Sequence, residues 1–217
     1  MKFGVIFDWD GVILDSSGFH AMSWEILAEE RGLPLPEGHF EKGFGLRNET
    51  IIPKILKWAS EPEEVAELAF AKEEAYRSLI RKNGIEPLPG VKFLLKSLEN
   101  GGHRFAVGSS TPKENLICAM ELLGYQDTFQ AILSGDDVTQ GKPNPEVFLK
   151  AAKAIHCEPS NCVVFEDALP GIEAAKAGGM KVVGVATTNS LEEIAHADLA
   201  VESLEEITLD RLQALFG

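Results

Sequence analysis

Short, almost wholly apolar runs recur along this chain, and each is closed by polar or acidic residues. The first occupies residues 2–7 and runs straight into Asp8 and Asp10. Later examples are "HRFAVGSS" (103–110), "AILSGDD" (131–137), "CVVFED" (162–167) and "KVVGVAT" (181–187). Apolar residues at consecutive rather than alternate positions are the pattern of parallel strands covered on both faces. Between them lie stretches of helical periodicity that stop at glycines. "GVKFLLKSLEN" ends before Gly101 and Gly102, "KENLICAMELLG" at Gly124, and "GIEAAKAGG" at Gly178 and Gly179. A glycine just past a helix end readily takes the left-handed conformation that closes it. This alternation predicts an α/β fold: a Rossmann-like, doubly wound parallel sheet with helices on both faces.

Residues 16–85 break the rhythm. They hold no strand pattern, only helical ones, over 17–31, over about 48–59 and from "SEPEEV" onward. In the last of these Ser60 is expected to cap, with Pro62 in the first turn and Glu63 completing a capping box. "PLPG" (87–90) then returns the chain to the sheet. The expected organisation is a discontinuous core domain, residues 1–15 and 86–217, with an α-helical cap domain, residues 16–85, inserted after the first strand.

Composition narrows the function. With 45% hydrophobic and 25% charged residues the chain is ordinary globular protein. Its net charge of -14 argues against nucleic acid or an anionic membrane surface as partner, since both reward clustered Lys and Arg. A small anionic substrate stays compatible, because a pocket can be locally positive. Three cysteines, Cys118, Cys157 and Cys162, form neither a disulfide framework nor a zinc pattern, which suits a reducing cytoplasm. The start turns acidic too early for a signal peptide, and no apolar run approaches membrane-spanning length. The expectation is a soluble, cytoplasmic protein; its oligomeric state is not legible.

In an open parallel sheet, ligands bind beyond the carboxyl ends of the strands. Three strands here end in reactive residues: Asp8 and Asp10, Ser109 and Ser110, and Glu166 and Asp167. "GKPNPE" (141–146) adds Lys142 from a loop before a helix that Asn144 can cap. Acids gathered at such a place repel one another unless a cation or the lysine shares the site. Carboxylate oxygens from separate strand ends suit Mg²⁺, which also contacts substrate phosphate. Asp8 can attack phosphorus as a nucleophile, and Asp10 can protonate the leaving oxygen and then activate water. Gly11 lets the backbone turn sharply off the strand. In "SSTPKE", Thr111 is the expected helix N-cap, Pro112 a first-turn residue and Glu114 the capping-box partner, so that main-chain N–H groups can face an anion. Ser109, Ser110 and Lys142 complete the expected phosphate site. Each motif alone has a bland reading as a turn, a cap or a polar strand end. Their joint occurrence at successive strand ends is what argues for chemistry.

"FDWDGV", "VGSS", "GKPNPE" and "FEDALPGIEAAKAG" together resemble the haloacid dehalogenase superfamily, in its β-phosphoglucomutase and phosphoglycolate phosphatase branch with a helical C1-type cap. The likeness covers essentially the whole chain. It implies that Asp8 is the nucleophile and Asp10 the general acid/base, and that Ser109 and Lys142 hold phosphate. It also implies that Asp167 binds Mg²⁺ with Asp8 and the Asp10 carbonyl, and that Glu166 is a ligand directly or through water. Dehalogenase members carry no acid at the position of Asp10, so Asp10 points to phosphoryl transfer. Trp9 carries no functional reading and is expected to pack in the core.

Specificity is expected in the cap. The helical stripe over 17–31 is His20, Trp24, Leu27 and Arg31, and that over 61–83 is Val65, Leu68, Lys72, Tyr76 and Leu79. His20 and Lys72 thus sit on otherwise apolar faces, where a core histidine and a snorkelling lysine are the routine explanations. Together they resemble a His–Lys pair of the mutase members. "GFGLRNE" (43–49) resembles the branch's specificity loop, with Arg47 as a contact for a second anionic group and Phe44 where a basic residue is expected. The function this implies is a Mg²⁺-dependent phosphatase of a small phosphorylated metabolite, such as a sugar phosphate or phosphoglycolate. A β-phosphoglucomutase-type mutase is the alternative, and a non-catalytic binding protein on the same fold a more distant one.

Overall fold

The computed structural model describes residues 2–43 and 46–217. At its centre lies a six-stranded parallel sheet formed by β1 (Gly4–Phe7), β2 (Arg104–Gly108), β3 (Ala131–Leu133), β4 (Cys162–Glu166), β5 (Lys181–Val185) and β6 (Leu199–Val201). The strand order is β3-β2-β1-β4-β5-β6, so the chain reverses direction across the sheet beside β1. β1 is paired on both sides, Phe7 lying level with Val107 of β2 and with Phe165 of β4. The doubly wound expectation holds. Two details differ: β6 had no apolar run long enough to announce it, and "AILSGDD" is strand only to Leu133, because Ser134 caps a short 3-10 turn over Gly135–Asp137.

Both faces of the sheet are covered, which is why its strands read as unbroken apolar runs. Val5, Phe7, Phe105, Val107, Val163 and Phe165 pack on one side against α5 (Val91–Gly101), α6 (Lys113–Leu123) and α9 (Leu209–Ala214). Ile6, Ala106, Val164 and Val182 face the other way, into α7 (Glu146–Ala154) and α8 (Leu169–Ala177). Full burial of each such side chain contributes about 1.5–3 kcal/mol. Trp9 is fully buried in the first cluster, edge-on to Phe129 at 6.2 Å, as core packing requires.

Between β1 and β2 the chain forms only helices: α1 (Ser17–Arg31), α2 (His39–Gly43), α3 (Asn48–Thr50), a π-helical turn over Ile51–Leu56, and α4 (Pro62–Asn83). Their shared apolar faces make a separate cluster of Trp24, Leu27, Ile51, Ile52, Leu56, Val65 and Leu68. The two crossings to the sheet lie side by side, with Leu14 bridged to Pro87 and Leu88 N–H donating to Ile13. The helix expected over 48–59 is interrupted: Pro53 lacks an N–H for the ladder, and Lys57 turns left-handed at φ 56 to end it. Helix α4 starts at Pro62, not at a Ser60 capping box. The residue before a proline is driven to extended geometry, so Glu61 becomes the cap and makes no side-chain cap bond. Among the described residues no helix is long and apolar enough to cross a membrane.

Candidate active site

The carboxyl edge of the sheet brings the acids together. Asp8 follows β1 directly, held by its N–H to the Phe165 carbonyl at 2.9 Å. Glu166 closes β4, and Asp167 follows it. Oxygens of Asp8, Glu166 and Asp167 all lie within 4.8 Å of one another, and all three residues are buried. Lys142 reaches into this group, with Nζ 3.0 Å from Asp8 Oδ2 and 3.0 Å from Glu166 Oε2. One lysine against three carboxylates leaves the cluster short of positive charge. Burial and then the Asp8 charge push Asp167 up to about 7, against a hydrogen bond from Thr188. The same two causes drive Glu166 well above its usual range, with Lys142 opposing. Burial works against the Lys142 ammonium, but Asp8 and Glu166 outweigh it and raise its pKa. Asp8 Oδ1 and Glu166 Oε1 are buried with no partner. Orphaned hard oxygens in an over-acidic group fit a divalent cation.

Two glycines make room for this cluster. Gly11 has φ +76, and a Cβ there would also collide with the Asp167 carboxylate. A Cβ on Gly171, in the first turn of α8, would strike Glu166 in the same way. The tight turn after Asp10 and the start of α8 are therefore shaped by the carboxylates they pass.

Asp10 belongs to a different environment. Its side chain turns from the acid cluster toward Ser16, whose Oγ donates to it at 2.5 Å, toward the Thr111 hydroxyl, and toward His20 Nε2 at 3.7 Å. Burial alone would raise the Asp10 carboxyl, but His20, Ser16 and Thr111 together hold it at about 2. As placed, Asp10 is a carboxylate, and any metal contact from it falls to its main-chain carbonyl. Thr111 is consequently not a helix cap. Pro112 precedes the helix in extended geometry, α6 starts at Lys113, and that first N–H is donated to Asp136. Ser109 is buried beside Asp8's strand end and accepts from Thr111 N–H at 3.2 Å, while Ser110 lines the cavity. Asn144 does accept from Glu146 N–H at 3.0 Å, which fixes the loop carrying Lys142.

His20 and Lys72 meet as their stripes suggested. Lys72 Nζ lies 2.7 Å from His20 Nδ1. An ammonium only donates, so Nδ1 accepts and the His20 proton sits on Nε2, facing Asp10. His20 stacks on Tyr76 at 4.1 Å, and Lys72 stands 5.3 Å from the Trp24 ring. Burial lowers the Lys72 pKa, with Glu73 pulling the other way at 3.0 Å. Glu73 was invisible in sequence, one acid among many on α4. It is buried and accepts from Asn48 at 2.7 Å and from Asn115 of α6 at 2.5 Å. Asn115 in turn is held by Arg77 at 2.9 Å. Arg47 lies along the cavity wall with its stem near Gly141, and its Nε is 3.5 Å from Glu49. Phe44 lies outside the described residues. Thr188 and Asn189, which bond to Asp167 after β5, were also missed, although a polar end on an apolar strand is the signal that found Glu166.

A family model described as haloacid dehalogenase-like hydrolase matches residues 5–185. The chain belongs to that family. Its named relatives are enzymes. A chloroplastic 5-amino-6-(5-phospho-D-ribitylamino)uracil phosphatase of Arabidopsis thaliana is 34% identical over 98% of this chain, which spans 57% of that protein's length. The β-phosphoglucomutase of Bacillus subtilis is 34% identical, over 96% of this chain and 92% of its own. A solved β-phosphoglucomutase from Clostridium difficile superposes with a TM-score of 0.87 at 31% identity, covering 100% of this chain and 97% of the other. Both the fold and the superfamily expected from the motifs therefore stand. The haloacid dehalogenase-like core accounts for the position of the acids at the reversal of the sheet, where this architecture binds ligands.

Proposed function

We propose that this chain is a phosphoric monoester hydrolase that removes phosphate from a small phosphorylated metabolite by way of Asp8. The observation that carries the reading is the contrast between two aspartates two residues apart. Asp8 sits against Lys142 in the over-acidic cluster, whereas Asp10 is turned aside into a hydrogen-bonded niche. That division matches nucleophile and proton carrier.

In the first step an Asp8 oxygen bonds to phosphorus while the bond from phosphorus to the leaving oxygen breaks, and Asp10 passes its proton to that oxygen. The resting Asp10 is ionised, so it must take up a proton as the negatively charged phosphoryl group arrives and raises its pKa. In the second step water attacks phosphorus, its proton returns to Asp10, and Asp8 and phosphate are released. Lys142 neutralises Asp8 and the phosphoryl oxygens, Ser109 and Ser110 bond to them, and His20 orients Asp10. Asp8, Glu166, Asp167 and the Asp10 carbonyl would hold Mg²⁺, whose charge when bound screens the phosphoryl oxygens from the carboxylates. Residues 16–85 act as a cap over residues 1–15 and 86–217, with the paired crossings at Leu14 and Pro87 as its hinge.

A mutase shares the first step and differs in what accepts the phosphoryl group next. The relatives include both kinds, and the His20–Lys72 contact suits either. Supplying β-glucose 1-phosphate with a trace of its 1,6-bisphosphate, while following glucose 6-phosphate and free phosphate together, separates them. Free phosphate is expected to lead; glucose 6-phosphate forming well ahead of it would overturn the hydrolase reading.

A further inference from the structure

The cavity extends from the acid cluster under the helical segment, and its far part is lined by charges that already match. Arg47 faces Glu49 at 3.5 Å, and Lys72 faces Glu73 at 3.0 Å. Asp136 adds a third carboxylate to the same wall. Two cations against three acids offer a second anionic group no spare positive charge, and like-charge contact would disfavour it. This removes the expectation that Arg47 grips a second anion.

One polar atom on that wall is unmatched. His39, at the start of α2, has Nδ1 2.9 Å from the Pro36 carbonyl. A carbonyl only accepts, so Nδ1 carries the ring hydrogen. In the neutral ring Nε2 is then a bare lone pair, and it is buried without a partner. A buried acceptor at a cavity wall is complementary to a ligand O–H and is mismatched to a carboxylate or phosphate oxygen.

Resting on the hydrolase reading above, we propose that His39 is a specificity residue whose Nε2 accepts a hydrogen bond from a hydroxyl of the leaving group. The substrate class is then a monophosphate of an uncharged, hydroxylated carbon chain or ring, in preference to a bisphosphate or a phosphorylated carboxylic acid. Two carboxylates facing the site from α4 and from the 46–50 segment serve the same selection by repelling anions.

The test compares kcat/KM for glycerol 3-phosphate, erythrose 4-phosphate, ribose 5-phosphate and glucose 6-phosphate with that for 2-phosphoglycolate and fructose 1,6-bisphosphate. p-Nitrophenyl phosphate, which has no hydroxyl, is the reference. The best neutral monophosphate is expected to exceed both charged compounds by about tenfold or more. His39→Leu should lose about fivefold more on that substrate than on the reference, the worth of one neutral hydrogen bond. His39→Gln, which keeps an acceptor, should recover most of the difference. No turnover of any monoester would overturn the hydrolase reading and this one with it. Turnover of the reference, with phosphoglycolate or the bisphosphate preferred, would overturn this one alone. Equal losses by His39→Leu on both kinds of substrate would do the same, since a merely structural role predicts that result.

Discussion

Replacing Lys142 with Met would strip the acid cluster of the cation that bridges Asp8 and Glu166. Both contacts are 3.0 Å, and the lysine side chain is 4% exposed, so water cannot take its place. Removing one partner of a buried ion pair costs about 3–5 kcal/mol, because the remaining charge stays buried. Two charge-assisted hydrogen bonds, at about 1.5–3 kcal/mol each, give the same range. The cost depends on pH. Asp167 and Glu166 already have raised pKa values in the folded protein, Asp167 about 7, and losing the lysine raises both further. Above the unfolded carboxylate range the folded variant therefore binds more protons than the unfolded chain, and its stability falls as pH rises. At pH 5 bound protons replace the lysine, and the deficit should shrink to within about 2 kcal/mol. At pH 8 the full deficit should return, as a drop of roughly 10 °C in Tm. Urea and thermal unfolding of both proteins with excess chelator, at the two pH values, measure this. Equal stability at pH 8, or a larger deficit at pH 5, would refute the reasoning.

Asp10→Asn should slow an alkyl phosphate far more than p-nitrophenyl phosphate, since proton donation is worth about 10²–10⁴-fold and matters most for a basic leaving oxygen. Steady-state rates on the two substrates decide it, and equal losses would mean that Asp10 only positions its neighbours. Gly11→Ala should destabilise the fold by about 1–2 kcal/mol through its left-handed φ. It should also weaken Mg²⁺ binding, seen as a smaller Mg²⁺-induced rise in Tm, because the new Cβ displaces Asp167. An undiminished rise would contradict the close packing of Gly11 on that carboxylate.

Strand ends were the most legible part of the molecule. A strand covered on both faces must be apolar throughout, so the residue where polarity returns marks the edge of the sheet, and Asp8, Ser109, Glu166 and Asp167 all follow from that. Lys142 was legible because a lone cation among acids has an obvious partner. The helical stripes foretold the His20–Lys72 contact, since i, i+4 spacing fixes which residues share a face. What failed to show was set by tertiary choice. Thr111 reads as a helix cap locally, yet its hydroxyl goes to Asp10, across 101 residues of chain. Glu73 is unremarkable on its helix until Asn48 and Asn115 close on it from other elements. The caps at Ser60 and Thr111 were misplaced because each is followed by a proline step that delays the helix.

The central claim is that Asp8 carries the phosphoryl group, and rapid-quench labelling tests it most directly. Enzyme in excess over a ³²P-labelled monoester, with Mg²⁺, is quenched in acid within the first turnover and digested. The account predicts label on the peptide containing Asp8, stable in acid and released by hydroxylamine as an acyl phosphate is, and its absence in a folded Asp8→Asn variant. Phosphate release with no protein-bound label, or label that persists in Asp8→Asn, would contradict it.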